Sequence, residues 1–148
     1  MSEHRATVEW QSAGEFRYET YARNHNVTFA HGLRLQGSAA PQNIPPTAAG
    51  APGIDPEQAF VAALSACHML WFLHLACKAN WRVERYVDEA VGVLERTWMA
   101  TVTLRPVVSF SGRRPSEAEH RTLHESAHEK CFIANSVKSE VRIEPRFA

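Results

Sequence analysis

The sequence has no bias toward one sign of charge and no long run of like charges. Its 148 residues include 16 basic and 16 acidic side chains, and no stretch of five like charges interrupts this balance. Such a chain lacks the electrostatic attraction by which basic proteins bind nucleic acids or anionic membrane surfaces. We therefore expect neither a nucleic acid nor a membrane as a partner.

The sequence also lacks cofactor motifs and is poor in cysteine. It contains no glycine-rich phosphate-binding loop and no paired-cysteine zinc pattern, so we expect no cofactor. Residues 1–5 lack the basic and then apolar pattern of a secretory signal, which predicts a cytoplasmic protein. Structural disulfides are rare in that compartment. The three cysteines, Cys67, Cys77 and Cys131, are then either buried apolar side chains or reactive thiols.

The longest apolar stretch runs from Ala59 to Cys77 and carries Ser65, His68 and His74 within it. These polar side chains disfavour a membrane span. A helix that is apolar on every side belongs in the centre of a fold or in an interface. We therefore predict a buried helix of a soluble protein, which a second subunit would help to cover.

The start of this helix is marked by three consecutive residues. Asp55 can accept hydrogen bonds from the free amides of the first turn, and Pro56 fits the first helical position. Glu57 suits the positive end of the helix dipole. We predict that the helix ends near Ala79.

Segments rich in β-branched and aromatic residues flank the long helix and predict strands. These segments are residues 7–10, 16–21, 27–30 and 33–35 before the helix, and residues 81–95, 100–110 and 137–143 after it. Pro115 and Ser116 open a second helix that reaches about Cys131. The order of strands, long helix, strands, helix and strand predicts one α+β domain over residues 1–148, with helices packed on one side of antiparallel sheet.

Cys67 lies near the middle of the long helix. By the three-and-four spacing it shares a mostly apolar face with Phe60, Leu64, Leu70, Trp71 and His74. Because free cysteine is among the most buried residue types, this pattern alone is typical of a core cysteine, and a catalytic role is the alternative. Cys77 is turned away from that face, and we expect it to serve core packing.

Cys131 ends the second helix among titratable side chains. His120, His124 and Cys131 fall on one stripe, and His128 lies three residues before the cysteine. A protonated imidazole beside a thiol favours the thiolate and lowers the thiol pKa. The competing interpretation of this stripe is a helix surface that faces solvent.

The second helix also contains a possible metal motif. His124, Glu125 and His128 match the metalloprotease pattern of two histidines four residues apart with a glutamate between them. Such a pattern binds zinc and activates water, but it needs a third protein ligand and a substrate cleft. Solvent-facing histidines are the more ordinary explanation, and a zinc-dependent hydrolase is the less favoured alternative.

The segment from Asp55 to Cys67, DPEQAFVAALSAC, resembles the signature of the OsmC/Ohr family, the osmotically induced protein C and organic hydroperoxide resistance proteins. In that family a Pro-Glu pair precedes the peroxidatic cysteine by the spacing found here, and a later His-x-x-Cys element holds the resolving cysteine. Residues 128–131, HEKC, fit that element. The predicted order of strands and helices is also similar to the family fold.

The resemblance implies a role for each matching residue. Cys67 would be the peroxidatic cysteine, Cys131 the resolving cysteine, and Glu57 the carboxylate that positions an arginine. We assign that arginine to Arg23, with Arg34 as the competitor, since a guanidinium near sulfur stabilises the thiolate and the charge that develops on the peroxide. In an unbroken helix Glu57 and Cys67 lie about 15 Å apart along the axis. Either the helix breaks after its first turn, or the arginine spans part of the gap.

The resemblance further implies an OsmC-like fold and an intertwined homodimer with active sites at the subunit interface. The implied activity is the thiol-dependent reduction of organic hydroperoxides in oxidative-stress defence, with a dithiol reductant such as a lipoyl group on a partner protein. Phe60, Leu70 and Trp71 would line the substrate site, where an alkyl or acyl chain is stabilised by burial of its apolar surface.

Three features depart from the pattern of the hydroperoxide-resistance branch, and one of them is the long, proline-rich loop that starts at Gly37. The other two are single positions. Phe132 follows Cys131 where that branch usually has proline, and His68 follows Cys67. The chain therefore looks like a less characterised branch of the family. The main alternative to a peroxidase is a dimeric protein that binds an apolar ligand and carries out no chemistry.

Overall fold

The computed structural model describes residues 1–48 and 50–148, which form two compact units. The first unit comprises residues 1–59 and the second comprises residues 60–148. The long helix α1 (Pro56–Lys78) contributes residues to both units. The single-domain organisation stays a prediction.

The first unit contains a three-stranded antiparallel sheet. Strands β1 (Ala6–Glu9), β2 (His25–Phe29) and β3 (Arg34–Gly37) pair in that order. Three of the four strands predicted before the long helix are therefore confirmed. The prediction of a strand at residues 16–21 is wrong, because these residues turn and the Tyr21 N–H donates to the Arg17 carbonyl at 2.9 Å. The aromatic side chains of this segment instead form a cluster in which the Phe16 ring lies 5.5 Å from the Trp10 ring.

The second helix, α2 (Glu117–Lys130), begins with a capping box. The Ser116 Oγ accepts a hydrogen bond from the Glu119 N–H at 3.3 Å, and the Ser116 N–H donates to the Glu119 carboxylate at 2.8 Å. Two amides of the helix start are thereby satisfied. Cys131 is the residue at which α2 ends. Both predicted boundaries of this helix are confirmed.

The second unit contains two three-stranded sheets. One is formed by β4 (Val83–Asp88), β7 (Pro106–Phe110) and β9 (Arg146–Phe147), and the other by β5 (Val91–Glu95), β6 (Trp98–Leu104) and β8 (Glu140–Ile143). β4 and β7 pair antiparallel, as do β5 and β6, whereas β8 and β9 pair parallel to β6 and β7. The prediction of an antiparallel closing strand is wrong, because a crossover through α2 brings the chain back in the same direction.

Two segments predicted as continuous strands are each divided in the structure. Residues 81–95 contain β4 and β5, and residues 100–110 contain β6 and β7. The second division lies at Arg105, whose backbone N–H donates to Asp88 Oδ1 at 2.6 Å and not to a neighbouring strand. Pro106 follows and has no N–H with which to continue the ladder.

Helix α1 starts where the sequence predicts. The Asp55 Oδ1 accepts a hydrogen bond from the Gln58 N–H at 2.7 Å, and Pro56 is the first helical residue. The helix continues without a break to Lys78. The proposal that it breaks after its first turn is therefore wrong.

Only one stripe of α1 is buried in this chain. Leu64 packs with Val102 and Leu104 in one hydrophobic cluster, and Phe72 packs with Val108 in another. His68 and Ala76 complete the buried stripe. Elsewhere the helix is partly or fully exposed, and Leu70 retains 62% of its accessible surface. A single chain therefore covers only part of the helix, and its burial by a second subunit stays a prediction.

Helix α1 is also the one helix among the described residues that is long and apolar enough to cross a membrane. Core helices of soluble proteins meet the same criteria of length and composition. The buried His68 within its contact stripe favours a protein environment, in which the imidazole finds hydrogen-bonding partners.

Candidate functional site

The thiols of Cys67 and Cys131 lie side by side in the second unit. Each is a free cysteine, and the Cys67 side chain is within hydrogen-bonding reach of the Cys131 thiol. Cys131 is 1% exposed, whereas Cys67 is partly exposed. The structure thus brings together two sulfur atoms that are 64 positions apart in the sequence. Their assigned catalytic roles stay predictions.

The two helices place these cysteines. Cys67 lies on α1 between the buried Leu64 and His68, at the edge of the stripe that packs in the core. Cys131 terminates α2, where the Ala134 N–H donates to the Cys131 sulfur at 3.4 Å. Ile133, which packs in the hydrophobic cluster around Leu64, anchors the turn after α2. Core packing therefore fixes the position of both thiols.

Cys131 is held as a thiol and not as a thiolate. Burial raises its pKa to about 11, with a further upward contribution from the hydrogen bond to the Cys67 side chain, while the backbone N–H of Ala134 acts in the opposite direction. The prediction that a protonated imidazole lowers this pKa is wrong, because the buried histidines of α2 favour the neutral form. A thiol of this kind is a poor nucleophile until it loses its proton.

His68, His124 and His120 form a hydrogen-bonded series that we call the histidine row. His68 Nε2 lies 3.0 Å from His124 Nδ1, and His124 Nε2 lies 3.2 Å from His120 Nε2. The three residues are 1%, 2% and 4% exposed, in that order along the row. The interpretation of His120 and His124 as solvent-facing is therefore wrong.

The histidine row is neutral at physiological pH. Burial lowers the pKa of His68 to about 4, and the nearby His128 contributes in the same direction. Burial and the two neighbouring imidazoles lower the pKa of His124 to about 2, and burial also lowers the pKa of His120. A neutral imidazole has one donor and one acceptor nitrogen, which suits a series of single hydrogen bonds.

This geometry does not fit the zinc site that the sequence suggested. Both ring nitrogens of His124 face other imidazoles, so neither is free to coordinate a metal with His128. Among the described residues no group of three potential ligands is arranged to hold a metal ion. The zinc-hydrolase alternative on His124, Glu125 and His128 is therefore not proposed further.

The candidate arginines belong to the first unit. The Arg23 guanidinium donates to the Tyr21 and Tyr18 carbonyls at 2.6 and 2.7 Å and lies 3.6 Å from the centre of the Tyr21 ring. Arg34 is an exposed side chain that pairs with Glu9 at 3.8 Å. Arg23 is thus held in a defined position within its unit, whereas Arg34 lies on the surface.

Glu57 lies in the first turn of α1. Its Oε2 atom is buried and has no hydrogen-bond partner within the part of the chain that the structure describes. A buried carboxylate oxygen without a partner is costly. The positioning role of Glu57 stays a prediction.

The residues assigned to the substrate site differ in their surroundings. Phe60 is half-buried and packs in the cluster around Leu64, whereas Leu70 is exposed. Trp71 is half-buried and meets the exposed Phe132 edge-on, with ring centres 5.5 Å apart. Phe132, one of the positions that depart from the family pattern, therefore contacts Trp71 of α1.

Cys77 lies outside the thiol pair and is exposed. The prediction that it serves core packing is wrong for this chain. It stands on the side of α1 opposite the buried stripe, where the apolar surface is uncovered. Cys77 therefore offers an internal reference for thiol reactivity.

A cavity that the sequence did not predict lies beside α2. It has a volume of ≈ 550 Å³ and is lined by α2 and by residues near the carboxyl terminus, among them His120, His124 and Phe147. Charged side chains, namely Glu117, Arg121, Glu125 and Arg146, complete much of its lining. The stripe of α2 on which His120 and His124 lie was visible in the sequence, but its contact with His68 was not.

Comparison with protein families gives one match. The model described as OsmC-like protein matches residues 48–146, which is more than half of the chain. A search of curated proteins found no match.

Solved structures extend the match to the whole chain. An OsmC-like protein of unknown function from Vibrio cholerae is 44% identical, with a TM-score of 0.92, over 99% of this chain and 100% of that chain. The organic hydroperoxide resistance protein OhrB of Bacillus subtilis is 18% identical, with a TM-score of 0.66, over 99% of this chain and 98% of that one.

A third structure comes from Legionella pneumophila and is described as an organic hydroperoxide resistance protein and predicted redox protein. It is 20% identical, with a TM-score of 0.66, over 100% of this chain and 98% of that chain. The two hydroperoxide resistance proteins share the α+β fold with this chain. On the strength of the family model and the Vibrio cholerae relative, this chain belongs to the OsmC-like protein family.

Proposed function

We propose that the protein is a thiol-dependent peroxidase that reduces organic hydroperoxides through a disulfide between Cys67 and Cys131. The observation that carries this proposal is the adjacency of the two free thiols, one buried and one partly exposed. Membership of the OsmC-like family, together with structural neighbours named as hydroperoxide resistance proteins, supports a redox role in general.

In the first step the Cys67 thiolate attacks the terminal oxygen of the hydroperoxide. The O–O bond breaks, the sulfur is oxidised to a sulfenic acid, and the alkoxide takes a proton and leaves as an alcohol. Cys67 is assigned this role because it is the thiol of the pair that solvent reaches. Cys131 is too buried to meet a substrate first.

In the second step the Cys131 sulfur attacks the oxidised Cys67 sulfur. A disulfide forms and water is released, with the Cys131 sulfur oxidised and the sulfenic sulfur reduced. The two side chains are already neighbours, so this step requires no large rearrangement. An external dithiol, such as a lipoyl group on a partner protein, then reduces the disulfide and restores both thiols.

Activation of Cys67 is assigned to Arg23, with Glu57 as the residue that orients the guanidinium. A guanidinium stabilises a thiolate and donates hydrogen bonds to the peroxide oxygens as negative charge develops. The buried, unpartnered Glu57 oxygen supports the need for a cation at that end of α1. Because α1 is unbroken, the arginine side chain has to span part of the distance between Glu57 and Cys67.

The proposed assembly is a homodimer. The exposed side of α1 is lined in its first half by small and apolar side chains, namely Ala59, Ala63, Ala66 and Leu70. An apolar helix face of this length is unfavourable in water, and a second copy of the chain would cover it. The proposed location of the enzyme is the cytoplasm, where dithiol reductants keep thiols reduced.

Bulky organic hydroperoxides are the proposed substrates. Leu70, Trp71 and Phe132 present apolar surface near the helix turns that carry the cysteines. Burial of an alkyl or acyl chain against such surface contributes roughly 25 cal/mol for each Å², a gain that hydrogen peroxide cannot obtain. We therefore expect cumene hydroperoxide to react faster than hydrogen peroxide.

The test compares four proteins in the presence of a dithiol reductant. Wild type is expected to consume cumene hydroperoxide, Cys67→Ser to lose the activity, and Cys131→Ser to stop at a sulfenic acid on Cys67. Cys77→Ser is the matched control, since this thiol is exposed and lies outside the pair. Wild type that consumes no peroxide and keeps its mass and free-thiol count unchanged would exclude the proposed function and favour a protein that binds an apolar ligand without chemistry.

A further inference from the structure

The first unit contains a pocket that is walled by three aromatic rings. We call it the aromatic pocket, and the side chains that line it are Val8, Trp10, Phe16, Tyr21, Arg23 and His25. Its volume is ≈ 370 Å³. Small-molecule sites span about 300 to 1,000 Å³, so this pocket suits a ligand at the small end of that range.

The three rings stand at angles to one another and are not stacked. The Trp10 and Tyr21 rings are nearly perpendicular, at 87°, with centres 6.0 Å apart, and the Phe16 ring is tilted against both. The Trp10 Nε1–H donates to the Ala22 carbonyl at 2.8 Å, which fixes the indole. An aromatic ligand can therefore meet these walls edge to face, an arrangement that stabilises aromatic pairs beyond the burial of their area.

A guanidinium with unused donors lies in the same lining. Arg23 donates to the Tyr21 and Tyr18 carbonyls at 2.6 and 2.7 Å, and its remaining N–H groups have no acceptor in the part of the chain that the structure describes. No carboxylate of the described residues pairs with it. The unused N–H groups of a guanidinium bind ligand oxygens that are anionic or rich in electron density.

The charge of the lining decides which class of ligand the rings can hold. Aromatic rings around a space also bind quaternary ammonium groups, through cation–π contacts. Here the Arg23 guanidinium already lies 3.6 Å from the centre of the Tyr21 ring, and no acidic side chain is among the described residues that line the pocket. A cationic ligand would be repelled, so the pocket suits an aromatic ring that carries oxygen acceptors.

We propose that the aromatic pocket binds the ring of an aryl hydroperoxide, with the peroxide oxygens at the unused donors of Arg23. This inference rests on the proposed peroxidase function, in which Arg23 donates hydrogen bonds to those oxygens. The side chains around Arg23 then meet the group that the oxygens carry, and in this chain these side chains are mostly aromatic. Trp10, Phe16 and Tyr21 therefore favour aryl over alkyl hydroperoxides.

The first experiment measures binding without chemistry. Cumyl alcohol is the product of cumene hydroperoxide, so it carries the ring and one oxygen but cannot oxidise a thiol. The indole N–H signals in the NMR spectrum of nitrogen-labelled protein are assigned with Trp10→Phe and Trp71→Phe. We expect cumyl alcohol to shift the Trp10 signal, and tert-butanol, which lacks the ring, to leave it unchanged at the same concentration.

The second experiment measures substrate specificity. Phe16→Leu removes one aromatic wall, and the fold should tolerate it because Phe16 is 68% exposed. We expect kcat/KM for cumene hydroperoxide to fall about 10-fold, chiefly through KM, and kcat/KM for tert-butyl hydroperoxide to stay within about twofold of wild type, because Arg23 is retained. Phe29→Leu makes the same change at an exposed phenylalanine of β2 outside the pocket and is the control.

The outcomes separate the pocket from the proposed function. A Trp10 signal that cumyl alcohol leaves unchanged, or a shift of the Trp71 signal alone, would overturn the inference whatever the activity. Equal losses for both hydroperoxides in Phe16→Leu would also overturn it, because they would show that Phe16 supports Arg23 and does not contact the ring. If wild type consumes no peroxide but cumyl alcohol shifts the Trp10 signal, the peroxidase function fails and the pocket stands as a site for aryl alcohols.

Discussion

His68 Nε2 lies 3.0 Å from His124 Nδ1, although 56 positions separate the two residues in the sequence. This hydrogen bond joins the helix that carries Cys67 to the helix that ends at Cys131. Both imidazoles are almost completely buried, and burial holds them in the neutral form. The contact therefore links the packing of the core to the position of the two thiols.

The neutral histidines predict that stability falls as the solution is acidified. The pKa of His68 is about 4 in the folded chain and 6.5 when solvated, so the unfolded state binds more protons as the pH falls below 6.5. The stabilisation is complete above pH 6.5 and is lost progressively down to pH 4. We expect the free energy of unfolding to fall by about 2 kcal/mol for His68 alone between pH 7 and pH 5.

Urea denaturation at pH 7, 6 and 5 measures this loss. His124 adds to it in the same direction, because its pKa is also lowered by burial. A denaturation midpoint that is the same at pH 7 and pH 5 would contradict the burial of neutral imidazoles.

The high pKa of Cys131 predicts slow alkylation. Because the thiolate is the reactive species and burial raises this pKa to about 11, iodoacetamide at pH 8 should label Cys131 far more slowly than the exposed Cys77. Peptide mapping by mass spectrometry of the reduced protein after timed quenching gives both rates in one sample. Labelling of Cys131 as fast as Cys77 would show that the thiol is more accessible or more acidic than its surroundings indicate.

Substitution of the two candidate arginines is expected to affect the oxidation of Cys67 differently. Arg23→Met should slow the oxidation of Cys67 by about 10- to 100-fold, because an apolar side chain of similar length cannot stabilise the thiolate or the peroxide charge. Arg34→Met is the matched control, since this exposed arginine pairs only with Glu9 among the described residues. Stopped-flow measurement of sulfenic acid formation compares them, and a defect in Arg34→Met alone would reverse the assignment.

The exposed face of α1 predicts how the chain assembles. Ala66→Glu places a carboxylate in the middle of this face and should convert the proposed dimer into a monomer, because burial of an unpaired charge is unfavourable. Sedimentation equilibrium measures the mass of the assembly. Val91→Glu adds a carboxylate at an exposed apolar residue of β5 and serves for comparison. A wild-type protein that sediments as a monomer would contradict the proposed dimer.

The capping box at Ser116 predicts a local contribution to stability. Ser116→Ala removes the acceptor of the Glu119 N–H and should lower the free energy of unfolding by about 1 kcal/mol. Glu119→Gln retains an oxygen that can accept from the Ser116 N–H, so its effect should be smaller. Urea denaturation at pH 7 compares the two variants. A larger loss in Glu119→Gln than in Ser116→Ala would show that charge, and not the cap, stabilises the helix start.

Features with a local physical cause could be predicted from the sequence. The first residues of α1 follow from Asp55 and Pro56, and the capping of α2 follows from Ser116 and Glu119, since each depends on atoms within one turn. The resemblance to the OsmC/Ohr signature supplied the family. It also supplied the pair Cys67 and Cys131, which the structure places side by side.

Features that depend on contacts between distant segments could not be predicted. His120 and His124 looked like a solvated stripe because their partner, His68, lies on another helix. Residues 16–21 have the composition of a strand, but the rings of Phe16 and Tyr21 pack on Trp10 and not in a sheet. The strand division at Arg105 follows from a hydrogen bond to Asp88 that spacing alone does not reveal.

The proposed disulfide between Cys67 and Cys131 can be detected by mapping the thiols after a single exposure to oxidant. Wild-type protein is reduced, treated with one equivalent of cumene hydroperoxide, alkylated and digested without reductant. We expect a peptide pair joined through Cys67 and Cys131, with Cys77 alkylated and each chain lighter by two hydrogen atoms before alkylation. Three alkylated cysteines, or a disulfide that joins Cys77 to another chain, would contradict it.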